Sequence, residues 1–120
     1  MATANPTVNH KADNVAVFTW NLTDANDVGA PIPEGYSAYS DRSVQVYGTF
    51  GGGTVTWQGT NDPTPDNWVG LSTVASAAAT FAAAGIKQIL ESTLLARPSI
   101  AGGTSQDVTV VCVARRPVRI

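Results

Sequence analysis

At 120 residues, with 13% charged and 43% hydrophobic side chains, the chain is the size of one domain and too apolar for a disordered one. A formal net charge of −2 sets aside a dedicated nucleic-acid binder, and no apolar run approaches the roughly 20 residues that span a bilayer. Average domains carry about 25% charged residues, so this surface is mostly Thr, Ser, Asn, Gly and Ala, and a protein partner is expected to cover part of it.

Residues 1–13 are polar, contain Pro6 and show no period, which predicts an N-terminal arm. From Asn14 to Leu22 the chain alternates, with Ala16, Phe18, Trp20 and Leu22 on one face and Val15, Val17 and Thr19 on the other. Both faces are apolar at their centres, the pattern of a strand covered on two sides. Residues 23–41 hold Asp24, Asp27, Gly29, Pro31, Pro33, Glu34 and Gly35 and predict a long loop. Arg42–Phe50 and Thr54–Thr60 each alternate around Gly51-Gly52-Gly53, which predicts a hairpin. Its apolar face is Val44, Val46, Phe50, Val55 and Trp57; its other face is Ser, Thr, Gln and Tyr47.

Asn61–Asn67 is a turn cluster, followed by short strands at Trp68–Ser72 and 78–83 and a single helical turn at Gly85–Ile89. Thr93–Ile100 and Gln106–Arg115 complete the strands. Arg115, Arg116 and Arg119 make 115–120 a basic tail. The pattern predicts an all-β fold: a single β-sandwich over 14–114 of about seven short, mainly antiparallel strands, with one short helical turn and extended termini.

Chemistry is sparse. His10 is the single histidine and lies in the arm, so a Ser–His–Asp arrangement lacks a rigid base. Glu34 and Glu91 do not form the carboxylate pair a glycosidase needs; Glu91 is expected to pair with Arg97 or Lys87. The glycine run is not a phosphate cradle, because it joins two strands and lacks the Lys-Ser/Thr ending. Cys112, the single cysteine, sits in the apolar run Val108–Val113 and reads as a buried thiol. Asp62 and Asp66 offer oxygen ligands of the kind calcium takes, but lack the glycine and distal glutamate of a calcium loop. No enzyme, cofactor or metal is therefore expected. Trp20 and Trp57 read as core, Trp68 as a plug at one end, and Tyr36, Tyr39 and Tyr47 as exposed aromatics.

The stretch from Tyr39 through Asp41-Arg42 to Phe50, with Thr54–Asp62, Trp68, Arg97-Pro98, Gly102-Gly103 and Asp107–Val110, resembles small virion structural proteins of tailed bacteriophages. Among these it is most similar to capsid decoration (cement) proteins. The resemblance spans roughly residues 39–113. It implies a homo-oligomer (a trimer at threefold junctions ahead of a dimer at twofold positions). Such a protein would be made in a bacterial cytoplasm and sit on the outer capsid surface over junctions of the major capsid protein. It implies no nucleic-acid or membrane partner. Asn5, Pro6, His10, Tyr36, Tyr39, Arg115, Arg116 and Arg119, in the arm, loop and tail, are the candidate partner-binding residues. The alternatives are a receptor- or carbohydrate-binding module of a fibre or tail, using the loop tyrosines and the Asn61–Asn67 turn, and a head–tail connector or tail component.

Overall fold

A computed structural model describes residues 3–64 and 66–116. Eleven strands form two sheets: β1 (Thr3–Ala4), β2 (Thr7–Ala12), β3 (Val15–Leu22), β4 (Val28–Gly29), β5 (Asp41–Thr49), β6 (Thr54–Thr60), β7 (Val69–Gly70), β8 (Thr80–Phe81), β9 (Gly85–Gln88), β10 (Leu95–Ala101) and β11 (Asp107–Arg115). One sheet runs β1-β4-β10-β6-β7, with β8 also on β6; the other runs β2-β3-β11-β5-β9. The fold is an all-β sandwich. Its single helical element among the described residues is a 3₁₀ turn at Glu34–Tyr36.

Period-two patterning becomes two facing apolar surfaces. From the five-stranded sheet come Ala16, Phe18, Trp20, Leu22, Val44, Val46, Val108, Val110, Cys112 and Ala114, and from the other Val55, Trp57, Ala96 and Ile100, all essentially inaccessible. Trp20 and Trp57 meet edge to face across the sandwich, with ring centroids 5.6 Å apart. Edge-to-face contact is the favoured aromatic geometry.

Four expectations are corrected. Arg42–Phe50 and Thr54–Thr60 are strands, but not a hairpin: β5 pairs with β11 and β9, and β6 with β10, β7 and β8. The glycine turn is instead an arch from one sheet to the other. Alternation marks a strand and its buried face, and carries no information about which strand lies alongside. Val44 and Val46 accordingly face Val55 and Trp57 across the core rather than sharing a sheet with them.

The Gly85–Ile89 helical turn is replaced by β9, paired with Ser43–Val46; edge pairing overrode local propensity. Residues 3–12 do not stand off as an arm. β1 pairs in parallel with β4, and β2 pairs with β3. Trp68 does not plug an end. It is half-buried with the Arg97 guanidinium 4.1 Å from its ring, while Arg97 Nε donates to Gln58 Oε1 at 3.0 Å.

Candidate functional site

The second half of the 23–41 segment crosses one end of the sandwich. It is tied down by the Ile32 N–H to the Ala96 carbonyl (2.9 Å) and by the Tyr39 N–H to the Tyr36 carbonyl (2.9 Å). This brings four of the eight sequence-predicted residues together. The His10 ring lies 6.1 Å from Tyr36 and 6.0 Å from Tyr39, edge on to both, and Tyr36 packs 5.1 Å from Phe18. The Arg116 guanidinium lies 5.7 Å from the Tyr39 ring. Tyr39 has one hydroxyl proton, and its 2.9 Å bond to the Asp13 carbonyl uses it. His10 Nε2–H is therefore the donor in the 3.2 Å contact with Tyr39 Oη.

Tyr39 is only 6% exposed, which corrects its expected exposure; Tyr36 is half-buried and Tyr47 is 44% exposed. A type of residue common in loops was here recruited to close a core end. Asn5 and Pro6 lie between β1 and β2, and Arg115 ends β11; Arg119 is outside the described residues.

Two other expected arrangements fall out differently. Glu91 pairs with neither Arg97 nor Lys87: its Oε1 accepts the Ser72 N–H at 2.6 Å, which holds the carboxyl below the usual carboxylate range. Lys87 Nζ donates to the Thr80 carbonyl at 2.6 Å and lies over the Phe81 ring. In the Asn61–Asn67 turn, Asp62 accepts from the Thr64 N–H and from Asn67 Nδ2, both at 2.9 Å, and Asn61 Oδ1 accepts the Leu94 N–H. The Asp62 oxygens are engaged within the turn, and that of Asn61 fastens it to the segment before β10. Among the described residues no three His, Cys, Asp or Glu side chains are grouped to hold a metal ion.

The outer face of the five-stranded sheet is a second candidate surface. Strand pairing sets Val17 beside Val113, Thr19 beside Val111, and Thr109 between Asn21 and Tyr47. Val113 also neighbours Ser43, and Val111 neighbours Gln45. Val17, Thr19, Val111 and Val113 stay partly exposed while their neighbours in sequence are buried. The central strands therefore carry apolar residues on both faces, as their sequence predicts, and among the described residues the inner face is buried while the outer one stays partly exposed. On β3, β5 and β11 the outward-facing charges lie at the strand ends, Asp41 and Arg115 at one and Asp107 at the other.

Sequence reasoning missed one residue near the closed end. Arg42 is 1% exposed. Its parity with Val44 and Val46 was the available signal, since residues two apart on a strand share a face. Cys112 lies on the adjacent strand. Burial pushes its thiol from the ordinary 9.0 up to about 12, against a smaller opposing effect of Arg42. As pH rises, the unfolded thiol ionises first and the native one keeps its proton, so this group removes stability between about 9 and 12. Native protein at pH 8 is expected not to react with a thiol-specific chromogenic disulfide, and to react fully in denaturing urea. Prompt reaction of the native protein would show that the sandwich opens.

No protein-family model matches the chain, and neither does any characterised protein sequence. Solved structures do match. The SPBc2 prophage-derived protein YomS superposes with a TM-score of 0.61 at 10% identity, covering 88% of this chain and 98% of YomS. A cupin domain from Bordetella pertussis Tohama I gives 0.50 at 15% identity, covering 95% of each chain. FeII HppE gives 0.47 at 6% identity, covering 91% of this chain and 49% of HppE.

The likenesses to YomS and to the cupin domain establish the fold. They also correct the expectation that the chain is not an enzyme. The sandwich is shared with a cupin domain, and jelly-roll architecture serves capsid domains, lectins and cupins alike. A missing triad or carboxylate pair does not set the enzyme class aside on such a scaffold.

Proposed function

We propose that the protein is a structural component of a tailed-phage virion, which decorates the shell by docking on the major capsid protein at subunit junctions. The observation that carries this reading is the outer face of the five-stranded sheet: apolar and hydroxyl-bearing side chains in register on its central strands, whose outward-facing charges lie at their ends. A face of that kind loses little on desolvation and excludes water against a flat protein partner. The fold shared with a prophage-derived protein supports the phage setting. Repeated over a lattice, weak contacts add through multivalency, and a ligand that binds the assembled shell but not free subunits stabilises the shell by mass action.

The edge strand β2 is less suited to pairing with a partner. It follows Pro6, carries Lys11, and sets two residues against one of β3 between His10 and Ala12. Proline, lysine and bulges are the devices that keep edge strands from recruiting neighbours. Removing residues 1–13 would also strip β1 and β2 from their sheets, so truncation reports on folding as much as on attachment.

The test is cosedimentation of purified protein with expanded capsids, with copy number from quantitative mass spectrometry. Wild-type protein is expected to bind at a copy number near that of the capsid protein. Val111→Glu and Val113→Glu, whose side chains face outward, should keep the native circular dichroism spectrum and lose binding at least tenfold. A copy number matching a neck or tail ring would favour the connector reading. Undiminished binding by both folded variants would remove the sheet face from the interaction.

A further inference from the structure

The Arg42 side chain is a cation inside the sandwich. It stands on the inward face of β5, beside Ala114 of β11 and in line with Val44 and Val46. Its Nε donates to the Tyr39 carbonyl at 3.0 Å. Nη1 and Nη2 are buried and have no hydrogen-bonding partner in the protein. A guanidinium carries five N–H groups in a planar fork, so four of them are unmatched.

Among the described residues no counter-charge is recorded against it. Cys112, the titratable side chain electrostatically coupled to Arg42, keeps its proton to about pH 12 and is neutral at physiological pH. The Asp41 carboxylate is on the opposite face of β5, where it accepts from Gln88 Nε2 at 3.2 Å. The Tyr39 hydroxyl is engaged with His10 and the Asp13 carbonyl. A buried charge with neither ion partner nor full hydrogen bonding is strongly disfavoured, and a sequence that only needed to fill this space would do better with an apolar side chain. The fork presented by Nη1 and Nη2 matches two acceptor oxygens held in one plane, the geometry of a carboxylate.

We infer that Arg42 is the receptor of an internal site for a small carboxylate, of formate or acetate size, at the end of the sandwich closed by the Tyr36–Tyr39 turn. That turn is the cover: Tyr39 is held by its hydroxyl contacts to His10 and the Asp13 carbonyl and by its own carbonyl, which accepts from Arg42 Nε, while Tyr36 packs against Phe18 and His10. Entry requires displacement of this turn together with its Tyr36 and Tyr39 ring contacts.

The experiment compares thermal unfolding of the full-length protein in sodium chloride with that in sodium formate or acetate, at pH 7 and constant ionic strength. At saturating carboxylate the wild-type midpoint is expected to rise by about 5 °C over chloride. Arg42→Met should be at least as stable as wild type in chloride and show no carboxylate-dependent rise. A titration of ¹³C-formate followed by NMR on the wild-type protein gives the same answer without a variant: saturable broadening that acetate reverses and chloride does not. Equal wild-type midpoints in carboxylate and chloride, a rise retained by Arg42→Met, or formate lines unaffected by the protein would each overturn the site.

Discussion

Trp20→Phe is expected to cost about 1 kcal/mol more stability than Trp57→Phe, although both indoles are fully buried. The two residues contribute similar volume and share one edge-to-face contact, so loss of packing nearly cancels in the comparison. What differs is the ring N–H. Trp20 Nε1 donates to the Ala30 carbonyl at 2.9 Å, whereas Trp57 Nε1 is buried without a protein partner. Phenylalanine at 20 removes a hydrogen bond that pins the 23–41 segment; at 57 it removes a polar group that gains nothing from folding. Truncation to alanine should be far more damaging at either place, about 3–5 kcal/mol. Urea unfolding followed by far-UV circular dichroism measures all four variants. Equal losses for the two phenylalanine variants would mean that the Trp20 bond contributes nothing net.

The arch between the sheets gives the second large effect. Gly51 and Gly52 have φ of +59° and +88°, and the Gly53 N–H closes the turn on the Phe50 carbonyl at 2.9 Å. Alanine at 52 would meet nothing within 4 Å, and so carries only the left-handed backbone cost of about 1–2 kcal/mol. At 51 the added methyl would fall on the Thr104 carbonyl, and Thr104 N–H donates to the Gly51 carbonyl at 3.0 Å, so the two loops cannot part without losing a bond. Gly51→Ala is therefore expected to cost about 3–4 kcal/mol, the conformational cost plus that of overpacking. Calorimetric midpoints would show it, and a Gly51→Ala protein no less stable than Gly52→Ala would contradict the tight approach.

These variants also mark where the sequence was legible. The glycine turn, its flanking strands and the buried set Val44, Val46, Val55 and Trp57 follow from alternation and from glycine chemistry. The arch does not, because a left-handed two-residue turn serves a hairpin and a corner equally well and the choice is made by β10 and β11, some forty to sixty residues on. For the same reason the polar residues 3–12 look like an arm: nothing local to them specifies β4 and β3 as partners. Of the candidate site, the doubly apolar β3 and β11 were visible as strands wanting cover on both faces. The gathering of His10, Tyr36, Tyr39 and Arg116 was not, since it depends on where a proline-rich segment crosses the sandwich end. Arg42 was readable by parity alone, but a charge at the start of a strand passes easily for a solvated end.

The centre of the five-stranded sheet has a bearing on how the molecule is made. β3 is flanked by β2, its neighbour in sequence, and by β11, whose residues Val108–Arg115 pair with Leu22–Val15. More than eighty residues must be synthesised between the two central strands. On the ribosome Phe18, Trp20 and Leu22 wait, with one edge of their strand open, until residue 115 has emerged. Closing such a long loop before its contacts repay the entropy makes folding slow, and the waiting strand is the region most exposed to mispairing. Guarding of the β2 edge by Pro6, Lys11 and a bulge leaves β3 with a single open side during that interval, the side that only β11 fills.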